Sequence, residues 1–259
     1  MDERVCRRKN LENGTHVMYS KTENGSEDTL LQGIIEYVEG EKDFAPHGHK
    51  ARFTNGDIGF VKEILDVDSI DSDHIINFVK LDENQKLEFK ATFSVNDETG
   101  DVLKCLKDAT IKEIAAFMNT FGGIVLIGVS NDKRIIGIER DLKMQKPNPK
   151  KNETHEDKFL RSIGDMIDAR LKTPILINDY DINLVPIEDN GIKKTVCVIN
   201  VKKSKDPIFM DMDVSFEVCG ENRTKKATKQ IFYVRTSDSR TVEVPPRELQ
   251  NFLATRNIS

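Results

Sequence analysis

The sequence predicts an α+β chain in which a small β-rich segment precedes a larger mixed one. Three observations carry that expectation. Short strand patterns separated by turn residues crowd residues 1 to about 65. Two long stretches with apolar residues at 3.6 spacing occur only after residue 100. Strand patterns joined by hairpin turns lie between and beyond them, and such mixing of helices with hairpins argues α+β. At 259 residues the chain can form one large domain or two ordinary ones.

Taken in order, Thr15 to Tyr19 alternates weakly and Leu30 to Val38 is a good strand run. Ala51-Arg52-Phe53 and Ile58-Gly59-Phe60-Val61 flank Thr54-Asn55-Gly56-Asp57. Asn-Gly between alternating residues is a strong hairpin signal. Several short strands with turn-rich joints predict a compact barrel over residues 1–65. An acidic linker follows at 66–74, and residues 75–259 form the second domain. There a helix fits Asp101 to Asn119, with Val102, Leu103, Leu106, Ala109, Ile114, Phe117 and Met118 near helical spacing. Gly122 and Gly123 end it and turn the chain into the strand Ile124 to Val129. A polar turn, Ser130 to Lys133, leads to a further strand at Arg134 to Ile138. A second helix fits His155 to Leu171. Strands at Ile175 to Ile187 and Lys194 to Val201 flank the turn Asp189-Asn190-Gly191. Ile231 to Arg235 reads as a strand, and Pro246 to Ala254 as a short closing helix with proline in its first turn.

Apolar residues make up 37% and charged residues 32%, so cores can form beneath a heavily charged surface. The net charge of −5 argues mildly against a phosphate-binding protein. Local patches run the other way: basic residues cluster at Lys143 to Lys151, Lys202 to Lys205 and Arg223 to Lys229. The four cysteines form no Cys-x-x-Cys pair. Cys105 and Cys197 lie in apolar periodic segments and are expected to be buried free thiols. The charged N-terminus lacks a signal-peptide core, and no apolar run approaches the ~20 residues of a membrane helix. A cytoplasmic protein with no membrane partner is expected.

The densest pattern runs from Leu87 to Gly137. It opens with Leu87-Glu88-Phe89-Lys90, passes through a helical segment to Asn119-Thr120-Phe121-Gly122-Gly123, and continues into Ile124-Val125-Leu126-Ile127-Gly128-Val129. In a strand, Lys86, Glu88 and Lys90 share one face while Leu87 and Phe89 face the core. Glu83 precedes Glu88 by five residues. Clustered carboxylates of this kind can hold a divalent metal that activates water and neutralises phosphate. Equally, glutamate and lysine alternating on a strand can form a solvated face with cross-strand pairs.

The order Glu-Phe-Lys, helix, Asn-Thr-x-Gly-Gly, apolar strand, Gly-Val, polar turn resembles the Schlafen-type AlbA-like domain. The stretch from Gly33 to Ile64, through Pro46-His47-Gly48-His49, resembles the small YwbE-like family, which brings no defined activity. The first resemblance implies a nucleic-acid-binding protein, RNA and tRNA included, or a metal-dependent endoribonuclease. In the Schlafen nucleases two glutamates at this spacing and an aspartate after the Gly-Val strand bind Mg²⁺ or Mn²⁺. Glu83 and Glu88 match the glutamates. The aspartate position falls on Asn131, and Asp132 takes its place only if the turn is re-registered. Lys90 would orient a phosphate or stabilise developing charge. The resemblance also places a nucleic-acid face near the Phe-Tyr-x-Arg strand, where Arg223, Lys225, Lys226, Lys229, Arg235 and Arg240 could meet phosphates and Tyr233 could stack on a base. A non-catalytic binding or regulatory module is the alternative. The nuclease cores pair two such lobes in one chain, so a comparable clamp here would require a homodimer.

Overall fold

In the computed structural model of the chain, four short antiparallel strands close on themselves near the N-terminus. They are β1 (His16–Ser20), β2 (Leu31–Val38), β3 (Lys50–Phe53) and β4 (Ile58–Ile64), in the order β1-β2-β3-β4 with β4 returning to β1. The structure describes residues 3–11, 15–23, 30–53, 55–65, 70–96, 98–171, 179–189, 191–217 and 224–256. The chain divides into two compact units, Met1–Asp82 and Glu83–Ser259.

Strand alternation builds the barrel interior. Val17, Tyr19, Ile35, Ala51, Phe53 and Val61 fill it, and the Tyr19 and Phe53 rings stack at 3.8 Å. The Asn-Gly hairpin forms as expected between β3 and β4: Gly56 has φ +85, and Asn55 Oδ1 accepts from the Asp57 N–H at 3.0 Å. A helix, α1 (Ser72–Lys80), belongs to this first unit and packs on β2. The division therefore falls after α1, at Asp82, and not within the acidic stretch 66–74. Asp71 caps the helix by accepting from the Asp73 and His74 N–H groups at 2.9 and 3.1 Å. Its apolar face buries Ile75 and Phe78, with Phe78 edge-on to His16.

The second unit opens with β5 (Leu87–Lys90), α2 (Lys104–Asn119) and β6 (Gly123–Ile127), a parallel strand pair joined by a crossover helix. The short α3 (Glu139–Met144) and the longer α4 (His155–Arg170) follow. A hairpin of β7 (Tyr180–Asp189) and β8 (Ile192–Val201) completes a four-stranded mixed sheet in the order β5-β6-β8-β7. Next come β9 (Phe209–Glu217), β10 (Thr224–Arg235) and β11 (Thr241–Glu243), a separate sheet ordered β11-β10-β9, and then α5 (Pro246–Arg256). The core combines Ile111, Ile114 and Phe117 of α2, Val125 and Ile127 of β6, Phe159, Ile163 and Ile167 of α4, and Cys197 and Ile199 of β8.

Several expectations are corrected. The strand expected at Arg134 to Ile138 shrinks to a single bridge, Val129 to Ile135, before the chain turns into α3. Residues 172–178, where a strand was expected to begin, lie outside the described residues. Cys105 is exposed on the first turn of α2, whereas Cys197 is buried in β8. Among the described residues, no helix is long and apolar enough to cross a membrane.

The Asn-Thr-x-Gly-Gly motif has a structural explanation. Asn119 at the end of α2 donates to the carbonyls of Ile208 and Tyr233 at 2.7 and 2.9 Å and accepts from the Ile208 N–H at 2.8 Å. One buried amide thus ties the helix to the β9–β10 region. Gly122 sits at φ +72, and a Cβ there would lie 2.5 Å from the Val201 carbonyl oxygen. A Cβ on Gly123 would lie 2.7 Å from the Lys86 carbonyl oxygen. The glycines therefore serve close backbone packing.

Candidate functional site

Strand β5 pairs with β6 from Leu87 opposite Ile124 to Lys90 opposite Ile127. Its alternation sends Leu87 and Phe89 one way and Glu88 and Lys90 the other, as the sequence predicts. The face carrying Glu88 is not solvated: Glu88 is only 7% exposed. Helix α2 brings Glu113 to it, and the last residue of β10 brings Arg235, itself only 4% exposed.

These four side chains form a buried charge network. Arg235 Nη2 meets Glu88 Oε2 at 2.9 Å, and Arg235 Nη1 meets Glu113 Oε2 at 2.9 Å. Lys90 Nζ contacts Glu88 Oε1 closely and lies 4.0 Å from Glu113 Oε1. The Thr241 hydroxyl donates to Glu113 Oε2. Arg235 also donates to the Asn84 carbonyl at 2.8 Å, and its guanidinium lies 5.1 Å from the Phe117 ring centre. Lys112 Nζ, partly exposed, also lies 3.8 Å from Glu113 Oε1, so each buried carboxylate has cations beside it, as burial of ions requires. Desolvation raises the pKa of Glu88, while Lys90 and Arg235 oppose that shift by favouring the carboxylate.

Glu83 lies just before β5, and its Oε1 accepts from the Phe89 N–H at 2.8 Å. Its carboxylate is thus held to the same strand that carries Glu88. Asn131 and Asp132 are exposed in the turn after β6. Asp132 accepts from Ser130 Oγ within that turn and pairs with Arg134 Nε at 2.6 Å. These contacts hold its pKa below the usual carboxylate range.

A metal site implied by the resemblance fits this arrangement poorly. A hard divalent cation needs several carboxylate oxygens turned toward one point. Both oxygens of Glu88 are taken by cations, one oxygen of Glu83 by a backbone N–H, and both oxygens of Asp132 by partners in its own turn. Among the described residues, no three His, Cys, Asp or Glu side chains are placed to share a metal.

The expected nucleic-acid face divides as well. Arg235 is withdrawn into the charge network and cannot meet a phosphate. Lys90 is spent on Glu88. Tyr233 is partly buried against the core, with Lys112 Nζ 5.9 Å from its ring centre. Lys226 and Lys229 are exposed on β10, the latter 2.8 Å from Glu243. Arg240 is exposed and pairs with Asp238 at 2.7 Å. Lys225 belongs to β10 by its backbone, and Arg223 lies outside the described residues.

Sequence reasoning missed Glu113, Thr241 and Asp141. Glu113 leaves a signal, an acid on the buried face of an apolar helix between Ile111 and Ile114. Asp141 is fully buried and accepts from the Phe93 and Ser94 N–H groups at 2.9 and 2.8 Å. It pins the segment after β5 to α3. Lys86, expected on a solvated face, is 1% exposed, and its Nζ lies 5.1 Å from the Phe121 ring centre.

Comparison with known proteins adds three findings. The family model described as Schlafen, AlbA_2 matches residues 83–243. No curated protein matches the chain. Among solved structures, the DIP2311 protein of Corynebacterium diphtheriae is similar at a TM-score of 0.38 and 16% identity, covering 68% of this chain. The chain spans about 30% of the length of that protein.

Proposed function

The chain belongs to the Schlafen, AlbA_2 family through residues 83–243, and from that premise we propose that its second unit is a nucleic-acid-binding module, RNA before DNA, that does not cleave its ligand. The observation that carries the non-catalytic part is the pairing of Arg235 and Lys90 with Glu88. A buried carboxylate paired on both oxygens offers no free ligand for a metal, and taking either cation away from it would strand a buried charge. The binding part rests on the family and on the exposed cations Lys226, Lys229 and Arg240. Such contacts work through phosphate neutralisation and survive a negative net charge when they are clustered.

A metal-dependent endoribonuclease is the second reading. It is favoured by the Glu83 carboxylate, which the Phe89 N–H holds to the strand carrying Glu88. It requires Arg235 to leave Glu88. A clamp around a structured RNA such as tRNA would further require a second copy of the chain.

The test is a titration of labelled tRNA and single-stranded RNA against rising salt, with a parallel cleavage assay in Mg²⁺ and Mn²⁺. Salt-sensitive binding without cleavage is expected for the wild type and for Glu83→Gln. Metal-dependent cleavage that Glu83→Gln abolishes would establish the endoribonuclease reading instead. Absence of RNA binding at low salt would remove both.

A further inference from the structure

We propose that the connection between α3 and α4 is the main phosphate-binding surface of the second unit, where a row of lysines grips the RNA backbone without reading its bases. This rests on the nucleic-acid reading of the same unit and adds a surface that β10 does not contain. The stretch runs from Arg140 in α3 through a 3₁₀ turn at Pro149–Lys151 to Lys158 in α4.

Six cations and four acids fall between Arg140 and Lys158, and the fold separates them. Asp141 is fully buried on the Phe93 and Ser94 N–H groups. Glu153 accepts from the Asn148 N–H at 2.7 Å and lies 3.1 Å from Arg161 Nη1. Asp157 accepts from the Thr154 N–H at 3.0 Å in the cap of α4. Glu156 is the acid left without such a partner among the described residues. Against it, Lys143, Lys146, Lys150 and Lys151 are exposed and Lys158 is partly so. Among the described residues, no carboxylate pairs with any of these five lysines. On β10 and beyond it, by contrast, Lys229 is held by Glu243 and Arg240 by Asp238. A phosphate arriving there must displace an acid, whereas one arriving at the α3–α4 connection meets open charge.

The backbone beneath the lysines is held in place. Asn148 Oδ1 accepts from the Lys150 N–H at 3.0 Å, and Asn152 closes the turn at φ +49. His155 Nδ1 donates to the Leu142 carbonyl at 2.9 Å and so ties the start of α4 to α3. A connection fixed in this way loses little backbone freedom when a ligand settles on it. The composition defines that ligand. Lysine ammonium groups act as point charges on phosphates. Between Arg140 and Lys158 there is no Phe, Tyr or Trp on which a base could stack. The contacts are therefore to backbone phosphates and carry no sequence information. Met144, 48% exposed, is the large apolar side chain that this stretch leaves open. One such side chain is too little to insert into a lipid surface, which sets nucleic acid above an anionic membrane.

The full chain is titrated with labelled tRNA and with an RNA hairpin of unrelated sequence at several salt concentrations. The variants are Lys146→Ala/Lys150→Ala/Lys151→Ala together, Lys226→Ala/Lys229→Ala together, and Glu156→Gln alone. The triple variant is expected to melt as the wild type does, to bind both RNAs at least 10-fold more weakly at low salt, and to lower the salt slope by about 2. The β10 pair should lose less than the triple variant. Glu156→Gln should bind more tightly, a gain that damage to the fold cannot produce. The proposal is overturned if the triple variant binds RNA with the affinity and slope of the wild type. If the β10 pair abolishes binding while the triple variant keeps it, the nucleic-acid reading stands and this surface falls. If the wild type binds no RNA, the reading itself fails and takes the surface with it. Phosphatidylserine vesicles are the last arm: vesicle binding lost in the triple variant, with RNA binding unchanged in it, assigns the lysines to a membrane and overturns the proposal.

Discussion

Arg235 lies 2.9 Å from Glu88, bridging the end of β10 to β5 across 147 residues of chain that the sequence gives no reason to pair. The same guanidinium reaches Glu113 at 2.9 Å, so one buried cation pairs with two acids from different elements.

Removing that cation leaves two acids facing each other with little solvent. Arg235→Met is expected to destabilise the second unit by about 3–5 kcal/mol, the usual range for breaking a buried ion pair at one partner. A shift of the urea midpoint measures it. Adding Glu113→Gln should recover part of the loss, because it removes one of the stranded charges. Equal losses in the single and double variants would show that the network is not coupled as drawn.

Lys86 predicts a pH dependence. Burial pulls its pKa down from 10.5 to about 7. Between those values the unfolded chain keeps the lysine charged while the folded chain holds it neutral. The unfolded state then binds more protons, so stability rises with pH across that window. The gain is at most about 1.4 kcal/mol per pH unit, and it is lost as pH falls toward 7. Lys86→Met should flatten the profile between pH 7 and 10 and raise stability at pH 7. Denaturant unfolding at several pH values checks both, and an unchanged slope in the variant would rule out Lys86 as its source.

Asn119 holds three backbone groups at once. Asn119→Leu preserves volume but strands two carbonyls and one N–H, and about 3 kcal/mol or more of stability should be lost. Asn119→Asp keeps the acceptor and loses both donors, so it should also destabilise. For a unit of this size the leucine variant should melt roughly 6–12 °C lower. A change of under 2 °C would assign the motif to something other than packing.

Lys226 and Lys229 should act on nucleic-acid affinity through charge alone. Replacing each by alanine is expected to reduce the salt slope of binding by about 1 without changing sequence preference. Because Lys229 already pairs with Glu243 at 2.8 Å, Glu243→Ala should strengthen binding modestly. Fluorescence anisotropy at several salt concentrations reads both effects, and an unaltered slope would move the interface away from β10.

Periodicity made most of the fold legible. The helices over Lys104–Asn119 and His155–Arg170 follow from apolar spacing, and the Asn55-Gly56 turn from local backbone preference. β9 was not read from the sequence, because its run Phe209-Met210-Asp211-Met212-Asp213 alternates apolar with acid and gains its meaning only by pairing with β10. Cys105 was misread for a related reason: it falls in an apolar-looking stretch, but on the helix turn that faces water.

The candidate site shows the same division. The chain alone fixed that Glu88 and Lys90 share a strand face, because strand geometry repeats every two residues. It also fixed the membership of residues 83–243 in one family, because motif order is written in the chain. It could not fix whether that face meets water, a metal or another side chain. Tertiary packing decided this by bringing Glu113 from a helix and Arg235 from a distant sheet onto Glu88. In a low-dielectric interior a carboxylate must find a counter-charge, and which one it finds depends on contacts far apart in sequence.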